Sequence, residues 1–104
     1  MSNYVFAYLG GSMAATDEER NAAMAAWGAW FGQIGSSIVD AGNPFAASTS
    51  VASDGSTNGG ARAGLSGYSV VQAASLEAAG ELAKGCPVLA AGGSVDVYEV
   101  LPVM

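Results

Sequence analysis

The sequence predicts an α+β fold with elements in the order β-α-β-β-α-β, forming one antiparallel sheet with two helices on one of its faces. Three observations carry this. Asn3 to Leu9 is an apolar strand bounded by glycine, Thr16 opens a capped helix, and Ser66 to Val100 reads as strand, short helix and strand with almost no filler.

In the first strand, Tyr4, Phe6 and Tyr8 alternate with Val5, Ala7 and Leu9, so both faces are apolar and both call for cover. Gly10, Gly11 and Ser12 end it. Thr16 followed by Glu19 is a capping-box pattern, and Asp17 and Glu18 add favourable charge at the positive helix end. The helix is predicted to run to about Gly35. Trp27, Trp30, Phe31, Ile34 and Ile38 fall on one broad stripe that Ala23 and Met24 extend toward the N-terminus. Gly28, Gly32 and Gly35 each weaken a helix by roughly 1 kcal/mol relative to alanine, which leads us to expect a ring or a backbone packed closely there.

Ser37 to Ala41 is the second strand, closed by Gly42, Asn43 and Pro44. Phe45 to Ser53 is compatible with an edge strand or an irregular hairpin arm, and Asp54 to Gly64 reads as loop. Tyr68 to Ala73 is the third strand, and Ser75 caps a second helix to about Lys84. Gly85 stands where a left-handed terminator is favoured. Val88 to Gly93 is a small-residue connection into a last strand over Val95 to Leu101, stopped by Pro102. This order is the ferredoxin-like split βαβ arrangement. Its uncovered, apolar sheet face calls for a homodimer packed sheet to sheet, a dimeric α+β barrel.

At 104 residues the chain is expected to be a single domain, residues 1–104. Its apolar half is rich in alanine, so the core leans on a few aromatic rings. The net charge of −6, with only Arg20, Arg62 and Lys84 as cations, argues against nucleic acid and against anionic membranes as partners. Cys86 is the single cysteine, which excludes an intrachain disulfide. MSNYVFAYLGG reads as a strand rather than a leader, and no run reaches the roughly 18 apolar residues of a membrane span. A cytoplasmic protein is expected.

The chain has no histidine, so Ser-His-Asp and Cys-His mechanisms and imidazole-bound zinc or haem are excluded. The glycine pairs Gly59-Gly60 and Gly92-Gly93 match neither a phosphate loop nor a dinucleotide fingerprint, and no cofactor or metal is expected. Acid–base work is left to a carboxylate. Asp40, in IVDAGNPF between apolar residues and a tight turn, is the candidate catalytic residue, because burial there would raise its pKa. Asn43 is placed to orient a carbonyl or hydroxyl; the alternative role for both is to hydrogen-bond the turn backbone. Asp96 and Glu99 fall on opposite faces of the last strand, and whichever points inward is a second candidate. Cys86, beyond a helix C-terminus, reads as a small buried hydrophobe. Tyr8, Trp27, Trp30, Phe45 and Tyr68 are the residues expected, with Asn43, to line a small-molecule pocket.

GYSVVQAASLEAAGELAKGCP followed by GGSVDVYEV resembles the YCII-related family, which includes the DGPF-type proteins, and AAMAAWGAWFGQIGSSIVDAGNPF is similar to that family's first helix and second strand. The resemblance implies a dimeric α+β barrel of ferredoxin-like protomers with a cleft. For some members it also implies a His and Asp dyad, and a dehydrochlorinase of chlorinated aromatics is similar to the family. The dyad does not carry over to a chain without histidine, and the DGPF tetrapeptide is absent, since Asp54-Gly55 continues as Ser56-Thr57. The expected activity is therefore elimination or lyase-type chemistry resting on Asp40. The alternatives are a ligand-binding or regulatory module and a purely structural dimer.

Overall fold

Strand β1, Ser2–Leu9, forms the spine of the sheet. It pairs antiparallel with β5, Leu65–Ala73, on one side and with β6, Ser94–Glu99, on the other. A short strand β2, Ile38–Asp40, pairs antiparallel with β5 and completes a four-stranded sheet in the order β2-β5-β1-β6. The computed structural model describes residues 1–11 and 15–103, so Ser12, read as part of the first strand's end, lies outside the described residues.

Helix α1, Asp17–Ile34, starts as its sequence dictates. The Glu19 N–H donates to Thr16 Oγ1 at 3.1 Å, while the Glu19 carboxylate accepts from the Ala15 N–H at 2.8 Å. The return contact of the box thus lands one residue earlier than usual. Helix α2, Leu76–Ala83, is capped by Ser75, whose hydroxyl accepts from the Ala78 N–H at 3.1 Å. Pro87 then begins a further short helix, α3, Pro87–Ala90, where the sequence suggested only a connection. Proline at N1 gives up an N–H that has no intrahelical partner anyway.

The core joins Tyr4, Phe6 and Tyr8 of β1 with Val71 and Ala73 of β5, Trp30 and Ile34 of α1, Ala79 and Ala83 of α2, Cys86, and Val88 of α3. All three helices therefore gather on the sheet face that carries the tyrosines and Phe6. The register places Val5 between Val70 and Tyr98 on the opposite face, where Tyr98 is exposed.

The segment between β2 and β5 departs from both readings of it. Residues 45–49 are irregular, and Ser50–Val51 (β3) and Thr57–Asn58 (β4) form a two-stranded ribbon apart from the main sheet. Asp54 closes its turn by accepting from the Ser56 N–H and hydroxyl at 2.9 and 2.6 Å, and these bonds hold its carboxyl below the usual range. Nearly every residue from 45 to 64 is exposed. The radius of gyration, 15.0 Å, accordingly exceeds the ~13 Å of a compact domain of this length.

Two expectations for α1 are corrected. Its apolar stripe packs only from Trp27 onward: Met24 is 69% exposed and Ala23 is exposed as well. Among the described residues, a Cβ added at Gly28, Gly32 or Gly35 would meet nothing within 4 Å, so no ring or backbone there explains these glycines. Gly32→Ala is therefore expected to stabilise the fold by up to ~1 kcal/mol through helix propensity alone, read as a higher denaturant midpoint with an unchanged slope.

Candidate functional site

Between α1 and the end of the sheet lies an open groove of about 1580 Å³. One wall is α1, through Trp27, Trp30 and Phe31; the other is the turn Ala41–Pro44 with Tyr68 and Ser69 of β5. The junction from Gly85 to Val88 closes one end, and Tyr8 lies at the base. The volume exceeds the ~300–1,000 Å³ of ordinary small-ligand clefts, as expected of a groove that opens to solvent.

The aromatic wall is ordered by edge and face contacts. The Trp27 ring meets Tyr8 edge-on at 5.0 Å and Trp30 at 5.8 Å, while Trp30 stacks over Phe6 at 6.1 Å. Trp30 is the anchor. Its Nε1–H donates to the Leu82 carbonyl at 3.0 Å and so ties α1 to α2 across the core. Gly85 lets the ring approach: an added Cβ would sit 3.1 Å from the Trp30 ring. Its φ is not in the left-handed region, so close approach, and not the left-handed termination read from the sequence, is what glycine supplies here.

A hydrogen-bonded chain runs along the base of the groove. Tyr8 Oη and Ser69 Oγ lie 2.7 Å apart, and Ser69 Oγ lies 2.6 Å from the Ala41 carbonyl oxygen. Burial pushes the Tyr8 phenol up from 10.0 to about 12 and the Cys86 thiol from 9.0 to about 11. Cys86 is thus a buried, protonated thiol, as its sequence position suggested.

These shifts fix an alkaline signature. The unfolded chain releases the thiol proton near pH 9 and the phenol proton near pH 10, while the native state holds both until about 11 and 12. Above pH 9 the unfolded state binds fewer protons, so stability falls as pH rises from 9 to 12 and these two groups leave it flat below that window. Cys86→Ala is expected to remove the lower part of the slope and Tyr8→Phe the upper part, measured by urea midpoints at stepped pH.

The turn that forms the rim is built by sequence-local chemistry. Gly42 has φ +76°, and the Asp40 carboxylate accepts its N–H at 2.9 Å. The Asn43 carbonyl accepts from the Tyr68 N–H at 3.2 Å, and the Phe45 N–H donates to the Ser66 carbonyl at 2.9 Å. The turn is in this way stitched onto β5.

Of the residues singled out from the sequence, Tyr8, Trp27, Trp30, Asn43 and Tyr68 border this one groove. Phe45 does not border it; it stacks on Tyr68 at 5.6 Å on the outside. Asp40 is exposed rather than buried and lies off the groove lining, with its second oxygen 3.5 Å from the Tyr68 hydroxyl. Three residues of β2 leave it on the sheet edge, where solvent reaches it. Asp96 pairs across from Ala7 and Glu99 across from Tyr4, on opposite faces, and both are exposed. Ser69 is the residue the sequence reading missed. Its signal was a polar side chain in register with Gly67 and Val71 on the inward face of β5.

The family model of the YCII-related domain matches residues 5–104. The chain belongs to the YCII-related family. No curated protein and no solved structure matches it. In this YCII-related chain the groove holds no histidine, since the sequence has none. Among the described residues, no cluster of Cys, Asp or Glu is arranged to hold a metal ion, and no helix is long and apolar enough to cross a membrane.

Proposed function

We propose that this YCII-related protein is a small-molecule binding module whose groove takes an apolar, ring-bearing ligand. The carrying observation is the make-up of the groove. Tyr8, Trp27, Trp30 and Phe31 supply ring surface, Asn43 and Ser69 supply polar contacts, and no carboxylate side chain borders it among the described residues. Aromatic surface with a few polar handles is the composition of small-ligand sites, and the described lining offers no carboxylate to take or give a proton.

A thermal-shift screen with neutral aromatic compounds tests this. Selective rises in Tm, with the bound compound recovered unchanged after long incubation, support the binding module. The absence of any shift across the screen overturns it.

One contact favours a second reading, acid–base elimination through Asp40. The Tyr68 hydroxyl lies 3.5 Å from the Asp40 carboxylate, both on the sheet face away from the helices, a pair able to pass a proton to a compound held at that edge. Conversion of a bound compound that Asp40→Asn abolishes would establish that reading, whereas conversion surviving in Asp40→Asn removes it.

The strand order β2-β5-β1-β6 supports a ferredoxin-like protomer. The uncovered face bearing Val5, Val70 and the exposed Tyr98 supports a homodimeric barrel. A stable monomer in sedimentation at micromolar concentration would count against the dimer. The buried, unpaired thiol fits a reducing cytoplasmic setting.

A further inference from the structure

Resting on the groove as a ligand site, we infer that its ligand is a neutral aromatic molecule carrying a hydrogen-bond donor, which Tyr8 Oη accepts. The direction of the hydrogen bonds at the base of the groove is forced by valence. The Ala41 carbonyl only accepts, so the 2.6 Å contact consumes the single hydrogen of Ser69. Ser69 Oγ is then an acceptor toward Tyr8, and the 2.7 Å contact consumes the phenol hydrogen of Tyr8. With its hydrogen committed, Tyr8 Oη offers a ligand only lone pairs. An O–H or N–H fits this oxygen, whereas an ether or carbonyl oxygen brought to the same point meets a second acceptor.

The same lining disfavours a charged ligand. Among the described residues, Lys84 is the only cation bordering the groove and no carboxylate borders it; Lys84 is solvent-exposed and pairs with Glu81 at 2.7 Å. A ligand anion meets only this solvent-screened, already paired ammonium and faces a protein of net charge −6; a ligand cation finds no carboxylate in the described lining. Burying either against Trp27 and Trp30 leaves an uncompensated charge in apolar surroundings, which is strongly unfavourable.

The test uses 2-naphthol with three matched probes: 2-methoxynaphthalene, which lacks the donor, 2-naphthoate and 2-naphthylmethylammonium. The chain's two tryptophans both border the groove, so their indole N–H resonances report binding at the site. The wild type is expected to bind 2-naphthol about fivefold or more tighter than 2-methoxynaphthalene, the effect of one well-formed hydrogen bond, and to bind both charged probes more weakly than 2-naphthol. Tyr8→Phe is expected to abolish the preference for the donor. Ser69→Ala offers an independent arm that keeps the tyrosine: it frees the phenol hydrogen to donate, so 2-methoxynaphthalene is expected to close the gap. If no probe moves either indole, the groove is not a ligand site and the reading beneath this one fails. If the two neutral probes bind equally well to the wild type, if the preference survives in Tyr8→Phe, or if either charged probe binds tightest, the groove reading stands and the donor inference is overturned.

Discussion

Trp30→Ala is expected to destabilise the protein by about 3–5 kcal/mol. The indole is 2% exposed and stacks on Phe6, and it contacts Trp27, Phe31 and Tyr8. Removing it opens a cavity at the point where α1 meets the sheet and leaves the Leu82 carbonyl without its donor. Against the ~5–15 kcal/mol that a domain of this size commands, the loss leaves little margin. Trp30→Phe separates the two contributions. It keeps a ring over Phe6 but deletes the N–H, and its expected cost is about 1 kcal/mol, the net worth of a part-buried hydrogen bond. Urea unfolding followed by far-UV circular dichroism reads both variants, and an alanine variant within 1 kcal/mol of wild type, roughly the cost of an average substitution, would contradict the anchoring role.

Gly42→Ala is expected to have an effect of comparable size by a different route. The residue has φ +76°, a region in which an L side chain costs about 1–2 kcal/mol, and the added Cβ would collide with the Tyr68 carbonyl oxygen. Relief requires the turn to lift from β5. That movement would break the Asn43–Tyr68 backbone bond, the Asp40 bond to the Gly42 N–H and the Ser69 bond to Ala41. The summed loss is about 3 kcal/mol or more, since each bond contributes about 0.5–1.5 kcal/mol. Gly55→Ala is the matched control. Gly55 also has a positive φ, +89°, but a Cβ there meets nothing within 4 Å, so only the ~1–2 kcal/mol conformational term is expected. Denaturant midpoints that rank the two variants equally would show that the contact with β5 contributes nothing.

The elements legible in the sequence are those whose signals are local. Thr16 with Glu19, and Ser75, announce their helices through hydrogen bonds made within four residues, and the strand at Tyr4 to Tyr8 announces itself by alternation. The convergence of Tyr8, Trp27 and Trp30 on one groove was legible because large rings on otherwise small-residue elements must pack where elements meet, whereas the register turns the Tyr68 ring to the other face, where Phe45 stacks on it.

What escaped the sequence depended on long-range geometry. The exposure of Asp40 follows from the place of β2 at the sheet edge, which spacing within IVDAGNPF does not encode. Gly85 and Gly32 look alike as residues in or beside helices, yet one abuts the Trp30 indole and the other faces open space. Ser69 gained its place in the hydroxyl chain from a partner 61 residues away. The ribbon of β3 and β4 formed within a stretch whose composition spoke only of loop.

Helix α1 is seated on the core only through its second half: residues 17–26 are all exposed, and Trp30 and Ile34 are its buried side chains. An isolated helical segment of that length is marginal in water, so the first turns of α1 have little besides their own ladder and the Thr16 cap to hold them. Amide exchange should therefore divide the molecule. Residues in the first half of α1 would exchange through local opening at a small fraction of the global free energy, and the amides of β1 and β5 only through complete unfolding. Because Ala23 and Met24 belong to that loosely held half and also border the groove, the wall and the latch are the same piece of chain. The rate at which a molecule enters or leaves would then follow the fraying equilibrium of a helix rather than the shape of a fixed cavity.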